Sequence, residues 1–237
     1  MTTVLQLGNR TIAAEQVMPL LSSYQMLPQL LRESIIDQAI APIECTPEEI
    51  AFAYEKFYQQ NQLISETQRQ TWLERYCMNQ PYLEELLIVR LLKIEKFKLA
   101  TWGHKLESYF LKRKGALDQV VYSLILTKDK EMAQELYFRI QEREQTFAEL
   151  AYEYSQGPEA ESGGIIGPIE LGNIHPNLAQ LLSVSQPGQL WPPRPLGECL
   201  LIVRLEKLIP AQLNESMRQR LLRELFEAWL QEHLSHF

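Results

Sequence analysis

The segment Phe147–Ser155, FAELAYEYS, runs into Gly157-Pro158 and then into Ser162-Gly163-Gly164-Ile165-Ile166-Gly167-Pro168. Its first part has the spacing of an amphipathic helix. The Ser/Gly/Pro turn ends that helix. The Gly-Gly-x-x-Gly bend then starts a new element, because glycine accepts backbone angles that other residues resist. Any fold for this chain must place a helix, a tight bend and a strand in that order here.

The chain has 237 residues, enough for one large domain or two small ones, and 46% of them are apolar, enough for a packed core. No run of about 18 apolar residues occurs, so no membrane insertion is expected. The first residues, MTTVLQLGNRTIAAEQ, lack the basic-then-apolar pattern of a secretory signal, and a cytoplasmic location is expected. Cys45, Cys77 and Cys199 are widely spaced and odd in number, which argues against a disulfide framework or a zinc knuckle. They are expected as buried thiols. The net charge is −7, and residues 116–210 carry 7 basic against 13 acidic groups. Nucleic acid is therefore not an expected partner. Arg90, Lys93, Lys96 and Lys98 lie at helical spacing and read as a solvated helix face.

Along the chain, Val4–Leu7, Gly8-Asn9 and Thr11-Ile12 read as a hairpin. Helices follow as far as Gly115. Leu27, Leu30, Leu31, Ser34, Ile35, Gln38 and Ala39 form one stripe, closed by Pro42. Thr46-Pro-Glu-Glu49 is a capping box ahead of Ile50, Ala53, Tyr54 and Phe57, and Ser65-Glu-Thr-Gln68 is a second one. Pro81 opens a helix with Leu83, Leu87, Leu91, Ile94 and Lys98 on one side. The next helix carries Leu106, Tyr109 and Phe110 and is expected to stop at Gly115. From Val120 the pattern changes to strand, two helices, the glycine bend, a strand, a short helix at Pro176–Leu182, a turn at Gln186–Gln189 and a central strand at Cys199–Leu205. This order fits a compact α+β sheet domain. Asn214 caps a last helix with Met217, Leu221, Leu222, Leu225, Phe226 and Trp229 on a wide apolar face. That face must pack within the chain or form a homodimer.

The stretch FAELAYEYS…GGIIG, with its flanking strands, resembles the parvulin-type (rotamase) peptidyl-prolyl cis-trans isomerases. The whole chain resembles foldases in which a parvulin domain is inserted in a helical chaperone lobe. The resemblance implies an α+β fold: a parvulin-like domain at 116–210, with a four-stranded sheet and about three helices. It also implies a helical lobe at 1–115 completed by the C-terminal helix, 211–237.

An X-Pro amide interconverts over a barrier of about 20 kcal/mol. Its catalyst needs an apolar slot for the proline ring and an environment that favours the twisted C–N bond. Carried over from the family, the two histidine positions fall on Ser123 and Cys199, and the Cys/Asp position falls on Gly157. Ser123 and Cys199 are expected to face each other across adjacent strands. The family's apolar slot falls on Ile166, Ile174 and Leu178, with His175 where a pocket-side Gln is common. Ile165 replaces an Asp, and Pro192–Leu196 stands where a loop is expected. Lys128 and Lys130 alone do not make the basic loop of phosphate-selective members. His233 and His236 lack a third metal ligand. No cofactor and no metal are expected. Two readings stay open: an isomerase-like foldase acting on unfolded or precursor polypeptide with X-Pro bonds, and a degenerate parvulin-like chaperone or peptide-binding module. A structural scaffold is a third.

Overall fold

The computed structural model describes residues 3–7, 10–76 and 78–235. Cys77, His236 and the Gly8-Asn9 turn lie outside them. The chain divides into two compact units, Met1–Leu106 with Arg218–Phe237, and Glu107–Met217.

In the first unit, strands β1 (Thr3–Leu7) and β2 (Arg10–Ala13) pair antiparallel. Helices α1 (Ala14–Ser23), α2 (Leu27–Ile40), α3 (Pro47–Gln60) and α4 (Glu66–Arg75) follow. The two capping boxes are formed: the Thr46 side chain accepts from the Glu49 amide, and the Ser65 side chain from that of Gln68. Each such cap contributes about 1 kcal/mol. A π-helical stretch, Tyr82–Ile88, runs directly into α5 (Val89–Trp102).

That π-turn corrects the expected stripe. It moves the buried position from Leu87 to Ile88, five residues after the fully buried Leu83. The line then continues through Ile94, Lys98 and Trp102, leaving Leu91 exposed. The stripe on α2 is also rotated from the expected one. Ile36 and Ile40 are its buried residues, whereas Leu30 and Leu31 are exposed.

The orientation of α2 is matched by ion pairs from its inner side. Arg32 reaches Glu227 at 2.8 Å, while Glu33 and Asp37 hold Arg90 at 2.8 and 2.6 Å. Lys96 Nζ lies 2.6 Å from Glu49, and Lys98 is buried, its Nζ 5.0 Å from the centre of the Phe226 ring. Arg90, Lys96 and Lys98 of the basic cluster are therefore ties between helices rather than a solvated face. Cys45 is half-buried and free.

Helix α6 (Leu106–Leu117) passes through Gly115 without stopping there. Nothing crowds Gly115, and the helix ends only where Lys114 pairs with Asp118 at 2.9 Å. The second unit is then built from β3 (Gln119–Thr127), α7 (Lys130–Gln141), α8 (Phe147–Tyr154), β4 (Ile165–Glu170), α9 (Pro176–Ser183), β5 (Leu190–Leu196) and β6 (Cys199–Ile209). Its sheet is antiparallel, in the order β4-β3-β6-β5. The fold is α+β.

Residues 192–196 are not a loop. They belong to β5, an edge strand that tolerates Pro192, Pro193 and Pro195 because one side of it has no neighbour. Asn214 caps α10 (Glu215–Leu234) through its Oδ1, 2.9 Å from the Met217 amide. Leu221, Leu222, Phe226 and Leu230 of α10 are buried. Phe226 and Trp229 meet Phe97 and Trp102 at ring separations of 5.3–6.3 Å. The wide apolar face is thus covered inside the first unit. His233 lies on Trp229, its Nδ1 2.8 Å from that residue's carbonyl. No group of three metal-binding side chains occurs among the described residues.

Candidate functional site: the α9 face of the sheet

Side chains alternate across a strand, so β3 and β6 each present two sets. On one face, Val120, Tyr122 and Leu124 of β3 and Leu201, Val203 and Leu205 of β6 pack with Leu171, Leu178 and Leu182. Ile166, Ile169, Ile174, Trp191 and Leu196 half-cover this cluster. On the other face, Ile125 and Ile202 pack under α7 and α8 with Leu136, Phe147, Leu150 and Ala151.

The glycine bend positions β4 against this frame. Gly164 has φ +83, and a Cβ there would lie 2.8 Å from the Leu124 carbonyl. Gly167, at φ +112 before a cis Pro168, would meet the Val120 carbonyl at 2.5 Å. Both sites require glycine, for conformation and for space. Past Ser123, where β4 stops pairing, other groups close the edge of β3. The Leu124 amide donates to the Gly164 carbonyl and the Leu126 amide to Ser155 Oγ, each at 2.9 Å, and the Gln156 amide donates back to the Leu126 carbonyl.

Of the residues singled out from the sequence, Ile166, Ile174 and Leu178 come together on the α9 face. They are not equivalent. Leu178 is core, 4% exposed, while Ile166 and Ile174 are half-buried. Ile165 is more than half exposed on the outer strand. His175 is exposed at the start of α9; its carbonyl accepts from the Ala179 amide, and its imidazole caps nothing. Cys199 is half-buried rather than buried, begins β6 opposite Leu196, and by alternation shares the face of Leu201 and Val203.

Ser123 belongs elsewhere. It pairs with Arg204, not Cys199, so the two lie about 16 Å apart along the strands at ~3.3 Å per residue. Ser123 alternates with Leu124 and therefore faces α7 and α8. There its hydroxyl donates to Glu206, which also accepts from Arg204 Nε at 2.8 Å. The Arg204 guanidinium lies over the Phe147 ring at 5.2 Å. The expected Ser123–Cys199 facing pair does not form, because a register of five residues and a change of face separate them. A register shift between Val121 and Tyr122 leaves Glu206 as an extra residue on β6.

Gly157 has no side chain, yet its place is filled. The 3₁₀ turn Pro158–Ser162 folds Glu159 back so that a Cβ on Gly157 would lie 2.1 Å from Glu159 Oε2. Glu159 is 6% exposed. Its carboxylate accepts from Ser155 Oγ, and its carbonyl accepts from the Gly164 amide at 2.8 Å and from Ser162 Oγ at 3.0 Å. Burial, and secondarily the Glu159 charge, push the Tyr122 phenol above its ordinary value, so Tyr122 stays neutral around pH 7. The α9 face is thus an aliphatic surface with a neutral phenol and a buried carboxylate at one end.

Tyr122, Leu124 and Glu159 were missed in the sequence. Alternation with the apolar run could have pointed to Leu124. Nothing local separates Glu159 from Glu161, since only the turn buries one and exposes the other.

Residues 126–207 match the family model of the rotamase, PPIC-type PPIASE domain. The chain is 27% identical over 223 residues to the foldase protein PrsA of Halalkalibacterium halodurans, covering 84% of this chain and 62% of the relative. It thus spans less than two thirds of that protein's length. Among solved structures, PrsA of Bacillus cereus is 19% identical with a TM-score of 0.47, covering 99% of this chain and 88% of that one. The parvulin domain of PpiD from E. coli is 28% identical with a TM-score of 0.36, covering 41% of this chain and 95% of that domain. Residues 126–207, most of the sheet unit, are thus similar to the PPIC-type rotamase domain, and the chain as a whole is similar to the foldase protein PrsA.

Proposed function

We propose that the chain is a peptidyl-prolyl isomerase-like foldase that holds proline-containing segments of unfolded or precursor polypeptide on the α9 face. The observation that carries this reading is the half-covered aliphatic surface of Ile166 and Ile174 over a closed core, inside the stretch that matches the rotamase model. Such a surface can desolvate a proline ring. The amide's resonance form places negative charge on its oxygen, so a segment bound with that oxygen toward the Tyr122 end of the face, where the Glu159 charge is felt, has its planar amide disfavoured relative to the twisted one.

A second reading, a chaperone with little isomerase activity, is favoured by one fact. The β3 residues that flank Ser123 on this face are Tyr122 and Leu124, and the polar Ser123 is turned to the opposite face. Neither reading needs a second copy of the chain to cover α10.

NMR exchange on X-Pro tetrapeptides separates the two. Accelerated cis/trans exchange that Glu159→Gln reduces supports the isomerase. Line broadening without acceleration supports the chaperone. Ile174→Asp puts a charge without a partner on the half-buried surface and is expected to weaken peptide binding about tenfold or more, with the fold intact. Unchanged affinity in Ile174→Asp would remove the α9 face as the peptide site.

A further inference from the structure

In the helical unit, α3, α5 and α10 together form a groove of about 360 Å³. Its floor is apolar, made by Phe57, Leu92 and the buried Ile88. At the rim stand Phe52, 67% exposed, and Leu91, 43% exposed. Phe52 is the most exposed aromatic side chain on α3, and it stands beside a cavity rather than over the core.

The charges at this groove differ from those elsewhere in the unit. Arg32, Arg90 and Lys96 each have a carboxylate from another helix within 2.8 Å. Lys56 and Arg223 also line the groove, one from α3 and one from α10, and both are exposed. Among the described residues, neither side chain has an ion-pair or hydrogen-bond partner. The acid lining the groove, Glu95, is already held by Lys98 at 2.8 Å. The groove therefore carries two uncompensated positive charges in a chain of net charge −7.

We propose that this groove is a second polypeptide site, selective for short apolar segments that carry acidic side chains. Apolar side chains enter over Ile88 and Phe57, with Phe52 and Leu91 closing on them. A flanking carboxylate meets Lys56 or Arg223. The volume lies at the low end of the roughly 300–1,000 Å³ typical of ligand pockets, which suits a few side chains and not a folded partner. Two cations are too few for nucleic acid, whose binding uses many. The inference rests on the reading that the client is polypeptide, and it adds a chemical preference that the α9 face does not supply.

The test uses the full chain and fluorescein-labelled decapeptides of Leu and Phe without proline, carrying two Glu, two Gln or two Lys. Anisotropy titrations at low salt are expected to rank them Glu, Gln, Lys from tightest to weakest. Two exposed charge pairs give about a fivefold step between the Glu and Gln peptides. Lys56→Glu with Arg223→Glu is expected to reverse the ranking, and Phe52→Ser to weaken all three. All three positions are exposed, so unchanged thermal unfolding serves as the folding control. Equal affinity for the three peptides, or a ranking that survives the double charge reversal, overturns the proposal. Silent groove variants alongside a damaging Ile174→Asp, read with X-Pro peptides, would sink the groove and leave the α9 reading standing. Loss of X-Pro binding and exchange with the Glu ranking intact would do the reverse.

Discussion

On the α9 face of the sheet, Tyr122, Leu124, Leu201, Val203 and Leu205 present hydrocarbon and one neutral phenol to a half-open surface. On the α7–α8 face, the neighbours of those same residues include Ser123, Arg204 and Glu206, joined in one network beneath Phe147. The difference lies in where polar groups sit. The polar strand residues Ser123 and Arg204 serve the closed face, where they have partners and bind nothing else. The open face takes its carboxylate from outside the strands, from a turn that folds Glu159 into the place beside Gly157. A domain can thus lose the polar side chains expected at its strand positions and keep a buried charge nearby, supplied by another backbone segment.

Three experiments test that contrast. The largest effect is expected from Leu178→Asp. Leu178 is core on the α9 face, so the charge has nowhere to be solvated. A loss of about 4 kcal/mol or more is expected in denaturant unfolding of the sheet unit. A folded Leu178→Asp that merely binds peptide poorly would make the α9 face open all the way to Leu178.

A middle effect is expected from Glu206→Ala. It leaves Ser123 and Arg204 without their shared acceptor at about 1–3 kcal/mol, with X-Pro peptide affinity unchanged. Reduced affinity with stability intact would show the two faces to be coupled.

The smallest effect is expected in alkali. Tyr122 is raised by folding, so its contribution to stability is complete below the ordinary tyrosine pKa of about 10 and is lost as pH climbs through the higher folded value. Tyr54 and Tyr58 in the helical unit are also raised, mainly by burial, so absorbance titration near 295 nm should show fewer phenols ionising in the native protein at pH 10–11 than after unfolding, and Tyr122→Phe should reduce that difference without removing it. Glu159→Gln should move the native titration back part of the way.

Local chemistry made much of the fold readable. Thr46-Pro-Glu-Glu49 and Ser65-Glu-Thr-Gln68 form their caps because a capping box needs only residues three apart in the chain. The bend at Gly163–Gly167 was legible because positive φ and close backbone approach leave glycine as the choice. Ile166, Ile174 and Leu178 could be grouped from the family pattern, though not graded into lining and core. The misreadings have another origin. Gly115 lies inside α6 because, unlike Gly164, it is under no demand from its neighbours. Leu91 faces out because a π-turn upstream resets the phase of α5. Pro192–Leu196 is strand because an unpaired edge admits proline.

By itself the sequence determined the helices, the caps, the glycine bend and the alternating apolar strands. Each depends on neighbours a few residues away, which the chain cannot avoid having. Only the tertiary structure decided that Ser123 meets Glu206 rather than Cys199, that Glu159 occupies the place beside Gly157, that Arg90 and Lys96 are ties between helices, and that Lys56 and Arg223 beside Phe52 have no partner among the described residues. Strand register, a one-residue bulge and helix rotation set these pairings. They are fixed by packing across the whole unit, and a shift of one residue in any of them would turn the same side chains to the opposite face.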